Sequence, residues 1–206
     1  MIDWDSCVLW LDSRYFSESY WWDRSKYAND GVVYGAKFKE DSFYFGGNSY
    51  IEIPDDDSLD VTDKMSIEIV TKGVYSGASK GLLDKGNSAS AKLVNYYVYF
   101  NSGQGRFYIG DGTTFNSVFT SQLTDYQQYH IFFTLNDDYL KAYVNGSFCN
   151  QSNRTINPKT NNNNLLIGAL TTLPSYLFIG KIYLIRIYKK DFSEDEIKIL
   201  ATMEGF

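Results

Sequence analysis

The chain predicts an all-β sandwich, and three observations carry that expectation. Short runs of β-branched and aromatic residues recur at spacings of about 8–15 residues, separated by Gly, Asn, Asp and Ser. The stretch from Tyr126 to Phe148 reads as a complete hairpin with a specific turn. The one well-marked helical pattern lies at the very end, from Ser193 onward.

Taken in order, Cys7 to Leu11 is a short apolar run, and Gly31 to Phe38 follows a polar loop. Phe43-Tyr44-Phe45 and Tyr50 to Ile53 flank Gly46-Gly47-Asn48-Ser49, a turn composition. Ser66 to Thr71 alternates, with Ile67 and Ile69 on one face and Glu68 and Val70 on the other. Gly81 to Leu83, Tyr96 to Phe100, Arg106 to Ile109 and Phe115 to Phe119 are further strand candidates. His130 to Leu135 is a strand, Asn136-Asp137-Asp138 breaks it, and Leu140 to Val144 resumes. Asn145-Gly146 then supplies the two positive-φ positions of a type I′ turn. After the polar tract Asn161 to Asn164 come Leu165-Leu166-Ile167-Gly168 and the nearly continuous apolar run Leu177 to Tyr188, which suits a strand covered on both faces. Ser193 with Glu196 forms a capping box, Phe192 and Ile197 a hydrophobic staple, and Ile197, Leu200 and Ala201 one apolar stripe.

No linker, heptad or internal repeat interrupts the series, so residues 1–206 read as one domain. Hydrophobic residues make up 44% and charged residues 21%, enough for a packed core. The net charge of −6, with no basic cluster, argues against a nucleic-acid partner. No apolar stretch is long enough to span a membrane, and the first residues show neither the basic start nor the apolar core of a signal peptide. Cys7 and Cys149 permit one disulfide at most; they could pair outside the cell, and otherwise serve as small buried hydrophobes. Asn145, Asn150 and Asn153 each fit the glycosylation pattern by chance in an Asn-rich chain.

The motif series resembles laminin-G-like and concanavalin-A-like jelly-roll domains over nearly the whole chain. Leu9-Trp10-Leu11-Asp12 looks like the opening strand, and Asp23-Arg24-Ser25 with Asn29-Asp30-Gly31 is similar to the "D-x-S-G-N-x-x-D/N-G" loop. Phe45-Gly46 with Tyr50 to Pro54, then Met65-Ser66-Ile67-Glu68, resemble "F-D-G-x-x-x-Y-V-x-I-P" and "F-T-I-E". Tyr129-His130 stands where the family has Trp-His, before Val144-Asn145-Gly146. Leu166-Ile167-Gly168, then Gly180-Lys181-Ile182 with Ile185 to Tyr188, and finally Phe192 to Ile197 complete the order. The resemblance implies two antiparallel sheets in jelly-roll topology with one short C-terminal helix. It also implies a Ca²⁺ site built on the loop oxygens of Asp23 and Asn29, the kind of ligands this ion prefers. Here the last-strand Asp is replaced by Tyr183, so that site is expected to be weak or lost, with Asp23 and Asn29 capping the loop instead.

Signatures of catalysis are missing. The single His lies inside a strand, no G-x-S-x-G elbow or zinc spacing occurs, and the "E-x-D-x-x-E" string of glycoside hydrolases on this sandwich is absent. The acidic runs Asp55-Asp56-Asp57 and Glu194-Asp195-Glu196 read as a turn and a helix start. For binding, Tyr20-Trp21-Trp22 are expected in a loop, where large rings stack on the apolar faces of sugars, with Tyr75 and Tyr176 in other loops as further candidates. The expected function is therefore a non-catalytic recognition domain for carbohydrate or glycoprotein, at an extracellular or virion surface as the resemblance suggests. The competing class is a structural or protein-docking module of a virion, fibre or surface appendage, whose Tyr-rich faces would bury in a homo-oligomer or larger assembly.

Overall fold

The computed structural model describes residues 2–87, 89–171 and 176–206. Its strands are β1 (Cys7–Phe16), β2 (Tyr20–Asp23), β3 (Gly31–Tyr34), β4 (Lys37–Lys39), β5 (Ser42–Gly46), β6 (Tyr50–Ile53), β7 (Met65–Gly73) and β8 (Lys80–Gly86). They continue as β9 (Val94–Asn101), β10 (Gln104–Gly110), β11 (Phe115–Phe119), β12 (Gln128–Leu135), β13 (Tyr139–Val144), β14 (Ser147–Asn153), β15 (Leu165–Ile167) and β16 (Ile179–Tyr188). Helix α1 spans Glu194–Met203.

The strands form one hydrogen-bonded path, β11-β10-β9-β8-β15-β6-β3-β2-β1-β16-β7-β12-β13-β14, with β5 paired to β16 and β4 to β5. The path folds back on itself into the two layers of the expected antiparallel jelly-roll sandwich, and its two ends meet. The Ser152 hydroxyl donates to the Ser117 carbonyl at 2.6 Å, and Thr155 N–H donates to Asn116 Oδ1 at 2.8 Å. Between the layers, Phe107 of β10 faces Phe133 of β12 with ring centres 5.5 Å apart, and Tyr75 meets Phe100 of β9 at 4.8 Å. Alternation explains the burial: Ile67 and Ile69 of β7, Ile131 and Phe133 of β12, and Ile185 and Ile187 of β16 all enter this core.

The run ending at Tyr188 is a central strand, as its composition suggests, held between β1 and β7. Its register slips between Ile182 and Leu184, leaving Tyr183 as the extra residue of a bulge. Beyond the bulge Ile185 and Ile187 face the core, while Leu184, Arg186 and Tyr188 face outward. Helix α1 lies over that outer face. Tyr188, Phe132 and Tyr143 pack with Ile197 and Leu200 in a second cluster. Ser193 closes the helix with a complete capping box, its side chain accepting from Glu196 N–H. Asn145 and Gly146 have φ of 50° and 72°, the type I′ geometry. Both cysteines are free thiols; Cys7 is buried, and burial pushes its thiol up to about 12. No helix among the described residues is long and apolar enough to cross a membrane.

One expectation fails here. Tyr20-Trp21-Trp22 are not a loop but β2, and strand alternation separates the three rings. Trp21 points inward, packs on Phe43 at 4.7 Å and is fully buried, so it presents no face to a ligand. It lies opposite Gly31, where an added Cβ would approach Ile51 Cγ2 to 2.6 Å, so both residues are fitted to the core. Tyr20 and Trp22 point outward and are 45% and 46% exposed.

Candidate functional site

The outer face of the helix-covered layer carries a row of side chains set by strand register. Trp10 on β1 pairs with Arg186 on β16, and Arg186 with Glu68 on β7. His130 lies on the neighbouring strand, β12, opposite Val70. Glu68, His130 and Arg186 are polar groups flanked by apolar or aromatic residues in their strands, and all three are buried. Together they form a connected network. His130 Nε2–H donates to Glu68 Oε1 at 3.0 Å, and Arg186 Nη1 and the Tyr188 hydroxyl donate to Oε2 at 3.1 and 2.9 Å. Arg186 Nη2 reaches Glu204 just past α1 at 2.9 Å. Burial alone would push the Glu68 carboxyl up; the His130 hydrogen bond and the Arg186 charge outweigh it and hold the group below its ordinary value. Burial likewise works against the charge of Arg186, yet Glu68, Tyr188 and Glu204 keep it firmly protonated.

At the end of this row the surface opens into a cleft of about 360 Å³, within the range of roughly 300–1,000 Å³ typical of ligand pockets. Its walls are Trp4, Trp10, Asp12, Ser13, Arg14, Asp41, Tyr183, Leu184, Arg186, Met203 and Glu204. Trp4, from the short helical turn Trp4–Ser6, stacks on Trp10 with ring centres 5.1 Å apart. The Arg186 guanidinium lies 4.7 Å from the Trp10 ring centre and 5.2 Å from that of Trp4. Arg24 continues the stack, 4.9 Å from Trp10 and 3.8 Å from Tyr15. Asp12 receives Arg14 N–H and Nε–H at 3.0 and 2.8 Å. Burial raises its carboxyl, and these Arg14 contacts more than reverse that. Two donors are left over: Trp10 Nε1–H and Arg186 Nε–H are buried without a hydrogen-bond partner among the described residues. Orphaned buried donors are costly, and here both belong to residues lining one open cleft.

The sequence-predicted candidates lie elsewhere. None of Tyr20, Trp22 and Tyr176 lines this cleft, although all three are exposed. Tyr75 is a second correction: it is fully buried, and its hydroxyl accepts from Gly73 N–H and lies 3.0 Å from the Thr71 and Gln127 carbonyls. Such a ring closes the sandwich and cannot meet a ligand. Asp23 is saturated. Its Oδ1 accepts Trp10 N–H and Ser25 N–H at 2.7 and 2.8 Å, and its Oδ2 accepts Ser25 Oγ–H and Asn29 N–H at 2.6 and 2.8 Å. The Asn29 amide donates to Val8 O and Ser58 Oγ, both at 2.9 Å. Four protein donors already fill the carboxylate, so this loop does not fit a resident Ca²⁺. Among the described residues no group of three or more His, Cys, Asp or Glu is placed to hold a metal.

Sequence reasoning missed Trp4, Trp10, Asp12, Arg14, Arg186 and Glu204 as site residues. The usable signal was a charge set between two isoleucines in each of two strands, Glu68 between Ile67 and Ile69 and Arg186 between Ile185 and Ile187.

A family model described as the concanavalin A-like lectin/glucanases superfamily matches residues 45–198, most of the chain. Of the cleft residues only Tyr183, Leu184 and Arg186 fall in that span. No curated protein matches the sequence. Among solved structures, the ligand binding domain of botulinum neurotoxin serotype D in complex with N-acetylneuraminic acid is similar at TM-score 0.78 and 14% identity, over 98% of this chain and 52% of that one. The binding domain of botulinum neurotoxin DC in complex with rat synaptotagmin II gives 0.77 and 13%, over 98% and 52%. The binding domain of paraclostridial mosquitocidal protein 1 gives 0.75 and 15%, over 98% and 53%. The chain thus spans about half the length of these binding domains, and at such identities the likeness is one of fold.

Proposed function

The chain belongs to the concanavalin A-like lectin/glucanase superfamily, and from that premise we propose that it is a non-catalytic recognition domain. Its ligand is a carbohydrate, free or on a glycoprotein, seated in the Trp4–Trp10–Arg186 cleft. The observation that carries this reading is the pair of unpartnered donors, Trp10 Nε1–H and Arg186 Nε–H, beside a stacked indole pair. An indole face packs on the apolar side of a sugar ring while fixed donors and carboxylates take its hydroxyls. Catalysis is disfavoured because only Asp41 of the three cleft carboxylates is not closely paired; Asp12 is held by Arg14 and Glu204 by Arg186. Neither stands free as the acid or nucleophile that glycoside hydrolysis needs. The solved structures of like fold bear the names of binding domains, which supports the same class.

The test is a glycan array read with the wild-type chain and Trp4→Ala. Trp4 is partly exposed and outside the core clusters, so its loss should leave the melting temperature nearly unchanged while weakening a bound glycan about tenfold. Equal binding by both proteins would remove the cleft from the account.

A second reading, protein docking, is favoured by a different surface. Tyr20, Trp22 and Tyr34 are half-exposed on β2 and β3, and Tyr34 stacks on Tyr50 at 4.8 Å. A cleft of about 410 Å³ floored by Phe16, Phe38 and Phe43 adjoins Ser17, whose hydroxyl accepts from Tyr20 N–H. A stable multimer on light scattering, with no glycan bound on the array, would favour this second role.

A further inference from the structure

We infer that the cleft selects uncharged sugar rings and rejects acidic ones, an inference that rests on the carbohydrate reading above. Three carboxylates line the cleft (Asp12, Asp41 and Glu204) against two guanidinium groups (Arg14 and Arg186). Both guanidiniums are already engaged: Arg14 holds Asp12, and Arg186 holds Glu204 and, behind the wall, the fully buried Glu68. The lining thus carries one carboxylate more than it has guanidiniums, and the net charge of the whole chain has the same sign.

Asp41 is the unbalanced member. Its side chain is 70% exposed at the rim, and the nearest cation, Lys181 Nζ, stands 3.9 Å away while bonding Glu40 more closely. The residues around the cleft therefore carry two buried, unpartnered N–H groups on Trp10 and Arg186, the exposed Arg14 guanidinium already bonded to Asp12, carboxylate oxygens on Asp41 and Glu204, and the Trp4 ring. A hydroxyl both donates and accepts, so it satisfies this mixed set. A carboxylate or sulfate only accepts. It would gain one or two N–H donors and set like charge against Asp41 and Glu204 within a Debye length. The field steers such ligands away before contact is made.

The probe is an array of neutral oligosaccharides, each printed beside its sialylated, uronate-containing and sulfated counterpart, read with the full chain at low and at high salt. The acidic form of any recognised terminal ring should bind at least about tenfold more weakly at low salt, with the gap narrowing as salt screens the rim. Asp41→Asn should move the acidic-to-neutral ratio toward one. The substitution keeps the bond that the Ser13 hydroxyl makes to the Asp41 backbone carbonyl, so it tests charge and not loop structure. Acidic glycans bound as tightly as neutral ones, or a ratio indifferent to both salt and Asp41→Asn, would overturn the selectivity while leaving carbohydrate binding in place. An array on which no glycan binds would overturn the carbohydrate reading and the selectivity with it.

Discussion

Replacing Glu68 by Gln removes one charge from the centre of the buried network while nearly preserving shape. In the wild type its two oxygens receive His130, Arg186 and Tyr188. The Gln carbonyl can still accept from one or two of these. Its NH₂ group, however, must face donors, and Arg186 keeps only Glu204 as a counter-charge. Breaking one side of a buried ion pair typically costs about 3–5 kcal/mol, because the surviving charge stays desolvated. In a chain of this length each kcal/mol moves the melting temperature by about 2–4 °C, so the expected loss is about 6–20 °C. Its pH dependence has a definite sign. The folded Glu68 carboxyl is held below the ordinary glutamate value of 4.5. Its contribution is therefore fully present above that value and is lost as pH falls through the lower folded one. Urea unfolding of both proteins from neutral pH down to about pH 3 should show a constant gap above about pH 5, closing as pH drops. A gap under about 1 kcal/mol at neutral pH, or one that does not narrow with acid, would refute the assigned network.

Three further outcomes follow from local geometry. Gly146→Val forces a branched residue to φ near 72° and brings its Cβ within 3.2 Å of Ala201 Cβ on the helix; it should cost about 1–3 kcal/mol in denaturant while leaving glycan affinity per folded molecule unchanged. Ser193→Ala opens the capping box of α1 and should cost about 1 kcal/mol, seen as a melting shift of about 2–4 °C. Thermal melts in excess chelator and in millimolar Ca²⁺ should coincide, because Asp23 is saturated by protein donors; a shift of many degrees would show that the loop rearranges around the ion.

The elements legible in the sequence are those whose information is local. Asn145-Gly146 dictates its turn through backbone sterics alone, and Ser193 with Glu196 carries its cap within four residues. The central position of β16 was readable because a strand covered on both faces is nearly continuously apolar. Tyr20-Trp21-Trp22 misled because the polar Ser17-Glu18-Ser19 before it resembles a loop, while only a paired β3 settles that the rings alternate. The cleft was least legible. It joins Trp4 and Trp10 to Arg186 and Glu204 across the β1–β16 ladder and the end of α1, and no sequence window contains that register. The bulge at Tyr183 also shifts which residues of β16 face outward, so counting by twos from Ile182 would have sent Arg186 into the core.

The central claim is that the ligand sits against Trp4 and Trp10. The chain has four tryptophans, Trp4, Trp10, Trp21 and Trp22, each giving one indole N–H resonance in a ¹⁵N-labelled sample. Titration with a glycan selected on the array should move the Trp10 and Trp4 signals, the former most because its Nε1–H gains an acceptor, and leave those of Trp21 in the core and Trp22 on β2 in place. Movement confined to Trp22, or no movement at saturating glycan, would contradict the account.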